Sequence, residues 1–399
     1  MATMEKNNKT LNVPHLRFPE FSGEWEKCKV SDILEFYSTN SLAWEQLEYG
    51  AEGLKNLHYG LIHNGLSTCV DTEDASLPVI KQNCTPKNYT ECQNGDVAFA
   101  DASEDTNDVA KCIEFTDCHA DRVVCGLHTI HGRDKGDRTV VGFKGYSFSS
   151  QIFRNQIRRL AQGTKIYSIS SKNFSECRIS IPSKEEQAKI TTLLKLIDQR
   201  ILTQKKIIED LKKLKDAIRC KYLSDQSWKE YKISEISILG RGRVISTTEI
   251  SKQERPQYPV YSSQTSNNGI MGYLDNYDFD GEYITWTTDG ANAGTVFYRN
   301  GRFNCTNVCG TIKVNENIDT YFLSVVLQSA TAKYVSTNLA NPKLMNNTMA
   351  SIRVKLPDID TQKYWSHILR HMDNKIEAEF KYERLLIQQK TYLLSVLFI

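Results

Sequence analysis

Two segments of the chain combine an unbroken helical pattern with apolar residues spaced alternately by four and three positions. No proline or glycine occurs between Ser183 and Gln226, and Pro182 and Pro357 stand at the start of the two patterns, where proline is tolerated. Such spacing predicts a coiled-coil seam on each helix. The predicted packing residues are Ile190, Leu194, Ile197, Ile201, Ile208, Leu211 and Ile218 in the first helix, and Trp365, Leu369, Met372, Ile376, Leu386, Leu393 and Leu397 in the second.

Polar residues interrupt both seams at corresponding places. Gln204 corresponds to Glu379 and Lys215 to Lys390, whereas Glu383 replaces Ile208 and leaves the register of the second helix open. A helix of about 40 residues is roughly 60 Å long and requires a packing partner. We expect the two helices to pack antiparallel on each other; a core helix or a homodimer seam is the alternative.

An internal repeat surrounds these helices. The segment from Trp25 to Ile33 recurs at 228–236, and the segment from Arg178 to Gln187 recurs at 353–362. The stretch between these two recurring segments is longer in the first copy than in the second. The recurring segments that flank each copy are therefore similar, whereas the interior between them varies. Within the interiors, residues typical of strands predict strands at 139–143, 281–288, 294–299 and 304–313.

The predicted fold class is α+β. Two mixed α/β domains are separated by two long antiparallel coiled-coil helices, and the internal repeat implies a pseudo-twofold relationship. The predicted domains are residues 1–180, a central spacer helix at 181–224, a second domain at 225–355 and a C-terminal spacer helix at 356–399.

Composition and charge narrow the class of protein. The 399 residues are 40% hydrophobic and 25% charged, as in globular proteins. No apolar run is long enough for a membrane span, and residues 1–9 are polar, so we expect a cytoplasmic protein with no membrane contact. Eleven cysteines without a Cys-x-x-Cys pair favour reduced thiols.

Positive charge is concentrated locally although the net charge is only +2. Residues 71–121 contain twelve acids and three lysines, whereas residues 122–172 contain ten basic residues and two acids. Residues 151–175 and 330–355 contain no acid. These stretches predict two surfaces that face a polyanion such as DNA, with ordinary solvated surfaces as the alternative.

No catalytic motif is present. The glycines at 289–294 do not form a nucleotide loop and predict a hairpin turn instead. Cysteines and histidines are densest at Cys112, Cys118, His119, Cys125, His128 and His131, but their spacing is not that of a zinc knuckle. We therefore expect no catalytic residue and no metal, and a binding protein rather than an enzyme.

The repeat and four of its segments resemble the specificity subunit of a type I restriction-modification enzyme. The segments are residues 16–25, 162–169, 181–187 and 285–294. The resemblance implies a non-catalytic subunit that binds double-stranded DNA, in which each domain recognises half of a bipartite target and the helices set the gap. It also implies docking of two methyltransferase subunits and two restriction subunits, which would bind S-adenosylmethionine, ATP and Mg²⁺; this chain would bind no cofactor.

Candidate DNA contacts follow from residue type and position. Phosphate and groove contacts are expected from Arg154, Arg158, Arg159, Lys165, Tyr167, Ser168 and Lys172, and in the second domain from Asn341, Lys343, Asn346 and Asn347. Arginine matches guanine and Asn or Gln matches adenine, so the candidate base contacts are Arg241, Arg243, Gln264, Thr265, Asn267 and Asn268. Trp286, Asp289 and Asn292 lie on the segment that resembles the family. Arg178 and Arg353 are expected to brace the frame, and each candidate has a structural role as its alternative.

Two other functions fit the same pattern. A coiled-coil scaffold protein would bind proteins at its globular ends and show no salt-dependent DNA affinity. The recognition subunit of a stand-alone methyltransferase would lack a restriction partner.

Overall fold

The structure, a computed structural model, describes residues 11–73, 76–222, 227–336 and 341–399. The polar segment 1–9, the end of the predicted spacer helix at 223–224 and part of the acid-free stretch 330–355 lie outside these residues. The chain divides into two compact units, one formed by the residues up to Lys206 together with Lys381–Ile399, the other by Ile207–Phe380. The division falls within the two long helices, and the predicted domain boundaries stay a prediction.

The first unit is built from short strands and helices that precede the first long helix. Its strands are β1 (Glu26–Lys29), β2 (Leu34–Tyr37), β3 (Leu47–Glu48), β4 (Lys55–Leu57), β5 (Cys69–Asp71), β6 (Val79–Ile80), β7 (Val97–Ala100), β8 (Ala102–Ser103), β9 (Cys112–Asp117), β10 (Val123–Cys125), β11 (Thr129–Asp134), β12 (Tyr167–Ser168) and β13 (Arg178–Ile181). Its helices are α1 (Val30–Ile33), α2 (Tyr59–His63), α3 (Phe143–Ser149), α4 (Gln151–Leu160), α5 (Ser171–Ser175) and the first part of α6 (Lys184–Tyr222).

Two larger sheets form the centre of this unit. One has the strand order β10-β4-β6-β3 and the other the order β2-β11-β7-β9-β5. Strand β7 is buried along its whole length, and its Phe99 packs on Phe148 and Phe174, which belong to α3 and α5. Phe148 also packs on Phe153 of α4. The sheet thereby holds α4 and α5, which carry most of the predicted basic surface.

The second unit contains a four-stranded and a three-stranded sheet, ordered β15-β21-β18-β19 and β17-β16-β20. Its strands are β14 (Lys229–Lys232), β15 (Ser237–Arg241), β16 (Tyr258–Tyr261), β17 (Ile270–Leu274), β18 (Tyr283–Thr287), β19 (Val296–Arg299), β20 (Asn304–Cys305), β21 (Cys309–Val314) and β22 (Arg353–Leu356). Its helices are α7 (Ile233–Ile236), α8 (Thr247–Ser251), α9 (Thr320–Ala330), α10 (Asn346–Ser351) and much of α11 (Ile359–Val396). The three strands predicted at 281–313 are confirmed; the last is split into β20 and β21.

The two recurring segments form one antiparallel ribbon in each copy. Strand β1 pairs with β13, with Lys29 opposite Arg178, and β14 pairs with β22, with Lys232 opposite Arg353. The variable interior is therefore an insertion between the two strands of a ribbon. This explains why the flanks are alike although their separation along the chain differs between the copies.

The long helices pair antiparallel within each unit. In the first unit, Ile190 and Leu194 near the start of α6 share a core with Leu393 and Leu397 near the end of α11. In the second unit, Ile218 near the end of α6 packs with Leu369 near the start of α11. The predicted α+β class with two mixed domains and paired long helices is confirmed, and all fourteen predicted packing residues are buried or half-buried.

The prediction of a strand at 139–143 is wrong. These residues form a turn that enters α3, with Gly142 at φ 95°. The Asp134 carboxylate accepts a hydrogen bond from the backbone of Thr139 (2.9 Å), and the Gln187 amide oxygen accepts one from Val140 (2.9 Å). Side chains from other elements therefore satisfy the backbone, and no sheet partner is needed.

Candidate nucleic-acid interface

Two arginines of α4 donate hydrogen bonds to Asn107, in the loop between β8 and β9. Arg154 donates to the backbone carbonyl of Asn107, and Arg158 donates to the Asn107 side-chain oxygen (Nη1–Oδ1 2.7 Å). Burial lowers the pKa of the Arg154 guanidinium. Because both side chains anchor the loop between β8 and β9, they have less freedom to bind phosphate than the sequence suggests.

The other basic candidates of the first unit are accessible to solvent. Arg159, Lys165 and Lys172 are exposed on α4, the following loop and α5. Tyr167 and Ser168 form strand β12, which pairs with β8. A cleft of about 440 Å³ lies beside this strand and is lined by Ile166, Ser168, Asn173 and His128 among others, so the segment combines exposed cations with a concave surface.

A second cleft of the first unit is lined by residues other than the predicted DNA contacts. It has a volume of about 300 Å³ and is lined by Ser38, Thr39, Asn40, Ser41, Leu42, Cys84, Pro86, Asn88, Tyr89, Thr90, Val124 and Cys125. The polar run Ser38-Thr-Asn-Ser41 after β2 could have indicated a binding surface from the sequence, because these side chains both donate and accept hydrogen bonds. Asn40 already uses part of its hydrogen-bonding capacity within the protein, because its side-chain amide donates to the Cys125 carbonyl (3.1 Å).

Three segments of the second unit converge on Asp289. Arg241 at the end of β15 lies 3.3 Å from one carboxylate oxygen (Nη2–Oδ2), and Lys343 lies 3.5 Å from the other (Nζ–Oδ1). The side chains of Arg241 and Lys343 are 38% and 40% exposed. Asp289 therefore orients two cations that remain accessible to a ligand.

Amide side chains surround this charged centre. Asn292 donates to the carbonyl of Ser263 (3.4 Å), and Asn346 donates to the carbonyl of Gly240 (3.0 Å). The backbone of Gly290 donates to the Pro342 carbonyl (3.0 Å), which joins the hairpin between β18 and β19 to the loop before α10. Further exposed or half-buried candidates at these loops are Gln264, Thr265, Asn267, Asn268, Asn341 and Asn347.

Arg243 is paired with two carboxylates, whereas Arg241 is paired with Asp289 and donates also to the Asn307 carbonyl (2.5 Å) and the Thr288 hydroxyl (3.2 Å). The Arg243 guanidinium contacts Glu249 (2.7 Å) and Asp278 (3.1 Å), and the hydrogen bond to Glu249 raises the pKa of Arg243. To bind a base, Arg243 would first have to leave two carboxylates.

The placement of Trp286 among the DNA contacts is wrong. Trp286 is 1% exposed in the core of the second unit, and its Nε1 donates to the carbonyl of Leu344 (2.9 Å). A Cβ atom on Gly310 would collide with the indole ring, so the ring packs directly on the neighbouring strand. The sequence placed Trp286 on the correct hairpin but could not show that β18 is buried on both faces, from Ile284 to Thr287.

Two of the six cysteines and histidines considered as a cluster come together in the structure. Cys125 and His131 meet Cys92, which was not in that group. Among the described helices, none is both long enough and apolar enough to cross a bilayer.

Comparison with known proteins identifies the family. Residues 140–213 and 225–385, more than half of the chain, match the model of the type I restriction modification DNA specificity domain. The chain is 42% identical over 163 residues to the putative type I specificity subunit S.MpnORF507P of Mycoplasma pneumoniae, covering 41% of this chain and 44% of that protein. It is 36% identical over 211 residues to S.MpnORF365P of the same organism, covering 51% of this chain and 78% of that protein.

The fold has a counterpart among solved structures. The S subunit of a type I restriction-modification system from M. genitalium superposes with a TM-score of 0.62 at 18% identity, covering 97% of this chain and 99% of that one. This likeness concerns the fold, and the family follows from the sequence matches. The chain belongs to the family of type I restriction-modification DNA specificity subunits.

Proposed function

We propose that this chain is the non-catalytic DNA-recognition subunit of a type I restriction-modification complex and that each compact unit recognises one half of a bipartite target. The observation that carries the proposal is that a repeated frame surrounds two different surfaces. Both copies have the same ribbon and the same long helix, but their inserted segments differ in length and in fold.

The two surfaces suit different DNA sequences. The first unit offers the exposed cations Arg159, Lys165 and Lys172 beside a cleft lined by both polar and apolar side chains. The second offers Arg241 and Lys343 around Asp289, with asparagines on neighbouring loops. Cations position a protein on phosphates, while Arg and Asn side chains distinguish guanine and adenine in the major groove. Because the two surfaces carry different side chains, they favour different DNA sequences in the two half-sites.

The paired helices serve as the spacer in this proposal. Their length sets the gap between the half-sites, and the repeated frame docks two methyltransferase subunits. Two restriction subunits complete the complex. S-adenosylmethionine, ATP and Mg²⁺ are held by those partners, and the methylated base is an adenine that is flipped out of the duplex.

The decisive experiment is methylation mapping. The full chain is co-expressed with a methyltransferase subunit from the same system in a host without adenine methylation, and methylated adenines are located genome-wide. A split motif with a fixed unspecified gap is the expected result. A contiguous motif would contradict recognition by two units, and absence of methylation with an active methyltransferase would favour the scaffold function.

A module exchange provides the matched control. Residues 237–347 are replaced by the corresponding segment of another family member while the ribbon strands β14 and β22 are kept. One half-site is expected to change and the other to remain. Loss or change of both half-sites would show that the units do not act independently.

A further inference from the structure

Two thiols and an imidazole meet in the first unit, away from the charged surfaces. The candidate ligand atoms of Cys92, Cys125 and His131 all lie within 4.8 Å of one another. Cys125 ends strand β10, and Cys92 is held beside it because its backbone donates to the Val123 carbonyl (2.8 Å). His131 lies on β11, so the cluster joins the two larger sheets of this unit.

The histidine has a ring nitrogen without a hydrogen-bond partner among the described residues. His131 is completely buried, and its Nε2 lies 2.8 Å from Oδ2 of Asp96. Its Nδ1 is also buried and bonds to no described residue. A buried polar atom without a partner is destabilising. In the neutral imidazole, donation of Nε2–H to Asp96 leaves the lone pair on Nδ1, where a metal ion would satisfy it.

The surroundings of His131 are those of a metal-binding histidine. Asp96 is itself fixed by Arg133 (2.8 and 2.7 Å) and by the backbone of Gln93 (2.9 Å). A carboxylate that accepts the second ring N–H is the usual way in which proteins orient a metal-binding imidazole. The arrangement therefore selects one tautomer and one ring orientation.

The sulfur separation agrees with coordination of one ion. The two Sγ atoms of Cys92 and Cys125 are 3.6 Å apart. In a tetrahedral zinc site with Zn–S bonds of about 2.3 Å, two sulfurs lie about 3.8 Å apart. All three residues are at most 6% exposed, so a bound ion would be shielded from water on most sides.

We propose that Cys92, Cys125 and His131 form a structural site for a thiolate- and imidazole-binding metal ion, with Zn²⁺ as its occupant. Uptake of the ion breaks both S–H bonds, forms two Zn–S bonds and releases two protons to solvent. A water molecule completes the coordination. Cys125 also lines the 300 Å³ cleft, which offers a path for entry.

The site would fasten the sheet that contains β10 to the sheet that contains β11. Structural zinc contributes directly to folding free energy. The expected effect is therefore on the stability of the first unit, and the chemistry of the partner subunits is not involved.

The test measures metal content and cobalt spectra of the full chain, purified without a histidine tag under reducing conditions. We expect one zinc per chain, and cobalt substitution should give a thiolate-to-cobalt charge-transfer band. The variants Cys92→Ser and Cys125→Ser should lose both signals. The control Cys177→Ser removes a thiol that is equally buried but belongs to another core, and it should keep them.

Several outcomes would overturn the proposal. Wild-type protein without zinc and without the cobalt band would do so, as would metal that persists in Cys92→Ser, which indicates an adventitious ion. Thiol titration that shows a disulfide between Cys92 and Cys125 would replace the metal site by a redox pair. Because the cobalt spectrum is recorded on wild-type protein, the proposal stays testable if a serine variant fails to fold.

Discussion

Lys390 on α11 forms an ion pair with Asp198 on α6, with 2.6 Å between Nζ and Oδ1. The same pair recurs in the second unit between Lys215 and Asp373, with the lysine now on α6 and the aspartate on α11. The offset along the chain between the two lysines equals the offset between the two aspartates. The lysines that interrupt the predicted seams are thus partners of the opposite helix, as an antiparallel repeat requires.

A tyrosine completes each pair. Tyr146 donates to Asp198 (2.9 Å) and Tyr321 donates to Asp373, and the same sequence offset relates the two tyrosines. Burial raises the pKa of both hydroxyl groups, so they stay protonated and donate throughout the neutral range. In each unit, the group of one tyrosine, one aspartate and one lysine connects the inserted segment to both long helices.

Asp198→Ala should destabilise the first unit. The substitution removes the acceptor of the Tyr146 hydroxyl and the ion-pair partner of Lys390, which keeps its hydrogen bond to Thr68 (3.3 Å). We expect a loss of about 1–3 kcal/mol in unfolding free energy. Thermal and urea unfolding of the single variants Asp198→Ala and Lys390→Met and of their combination would measure the coupling. The control Glu209→Ala removes an exposed helix pair with Lys213 and should change stability by less than about 0.5 kcal/mol. Additive effects of the two substitutions would show that the pair contributes nothing.

Simultaneous replacement of Arg159, Lys165 and Lys172 by Ala should weaken binding to every DNA sequence. Each lost phosphate contact flattens the slope of log K against log salt by about 0.9, so the slope should fall by about 2.7. The measurement is a salt titration of DNA affinity for the complex with methyltransferase. A matched variant removes Arg122, Lys184 and Lys213, which are already paired with acids. An equal loss of slope in both variants would mean that the three exposed cations have no special role.

Arg241→Ala should relax one half-site only. If Arg241 makes a bidentate contact with guanine, its removal costs about 1–3 kcal/mol of discrimination at one position, or about 5- to 150-fold. Genome-wide methylation mapping would show this as degeneracy at that position. Arg243→Ala is the comparison, because Arg243 is engaged by Glu249 and Asp278 and its loss should leave the motif unchanged. If only the Arg243→Ala variant relaxed the motif, Arg243 and not Arg241 would be the residue that contacts the base.

Trp286→Phe should lower stability without altering the methylated motif. Phenylalanine cannot donate to the Leu344 carbonyl, and its smaller ring leaves space beside Gly310; we expect a loss of about 1–3 kcal/mol. Unfolding curves and methylation mapping of the same variant separate the two effects. Gly310→Ala, which crowds the ring from the neighbouring strand, should also destabilise the unit. A changed motif with unchanged stability would show that Trp286 takes part in DNA recognition and contradict its structural role.

The long helices, their seams and the repeat were accessible from sequence because they depend on local periodicity and on recurrence along the chain. Ile190 and Leu393, for example, are buried as the spacing of apolar residues predicts. The hairpin at 289–294 followed from its glycines in the same way. Family membership, too, rested on the order of such segments.

Tertiary structure decided how residues distant in sequence use their polar groups. Arg154 and Arg158 look free in an acid-free segment, yet Asn107 engages both. Trp286 looks like a surface ring, yet it is buried against Gly310 and donates to the Leu344 carbonyl. Cys92 and His131 belong to separate segments of the sequence and meet only because neighbouring sheets bring them together. Local patterns specify which face of a helix or strand is apolar, whereas the partner of a charge, a ring or a thiol depends on long-range packing that no local pattern encodes.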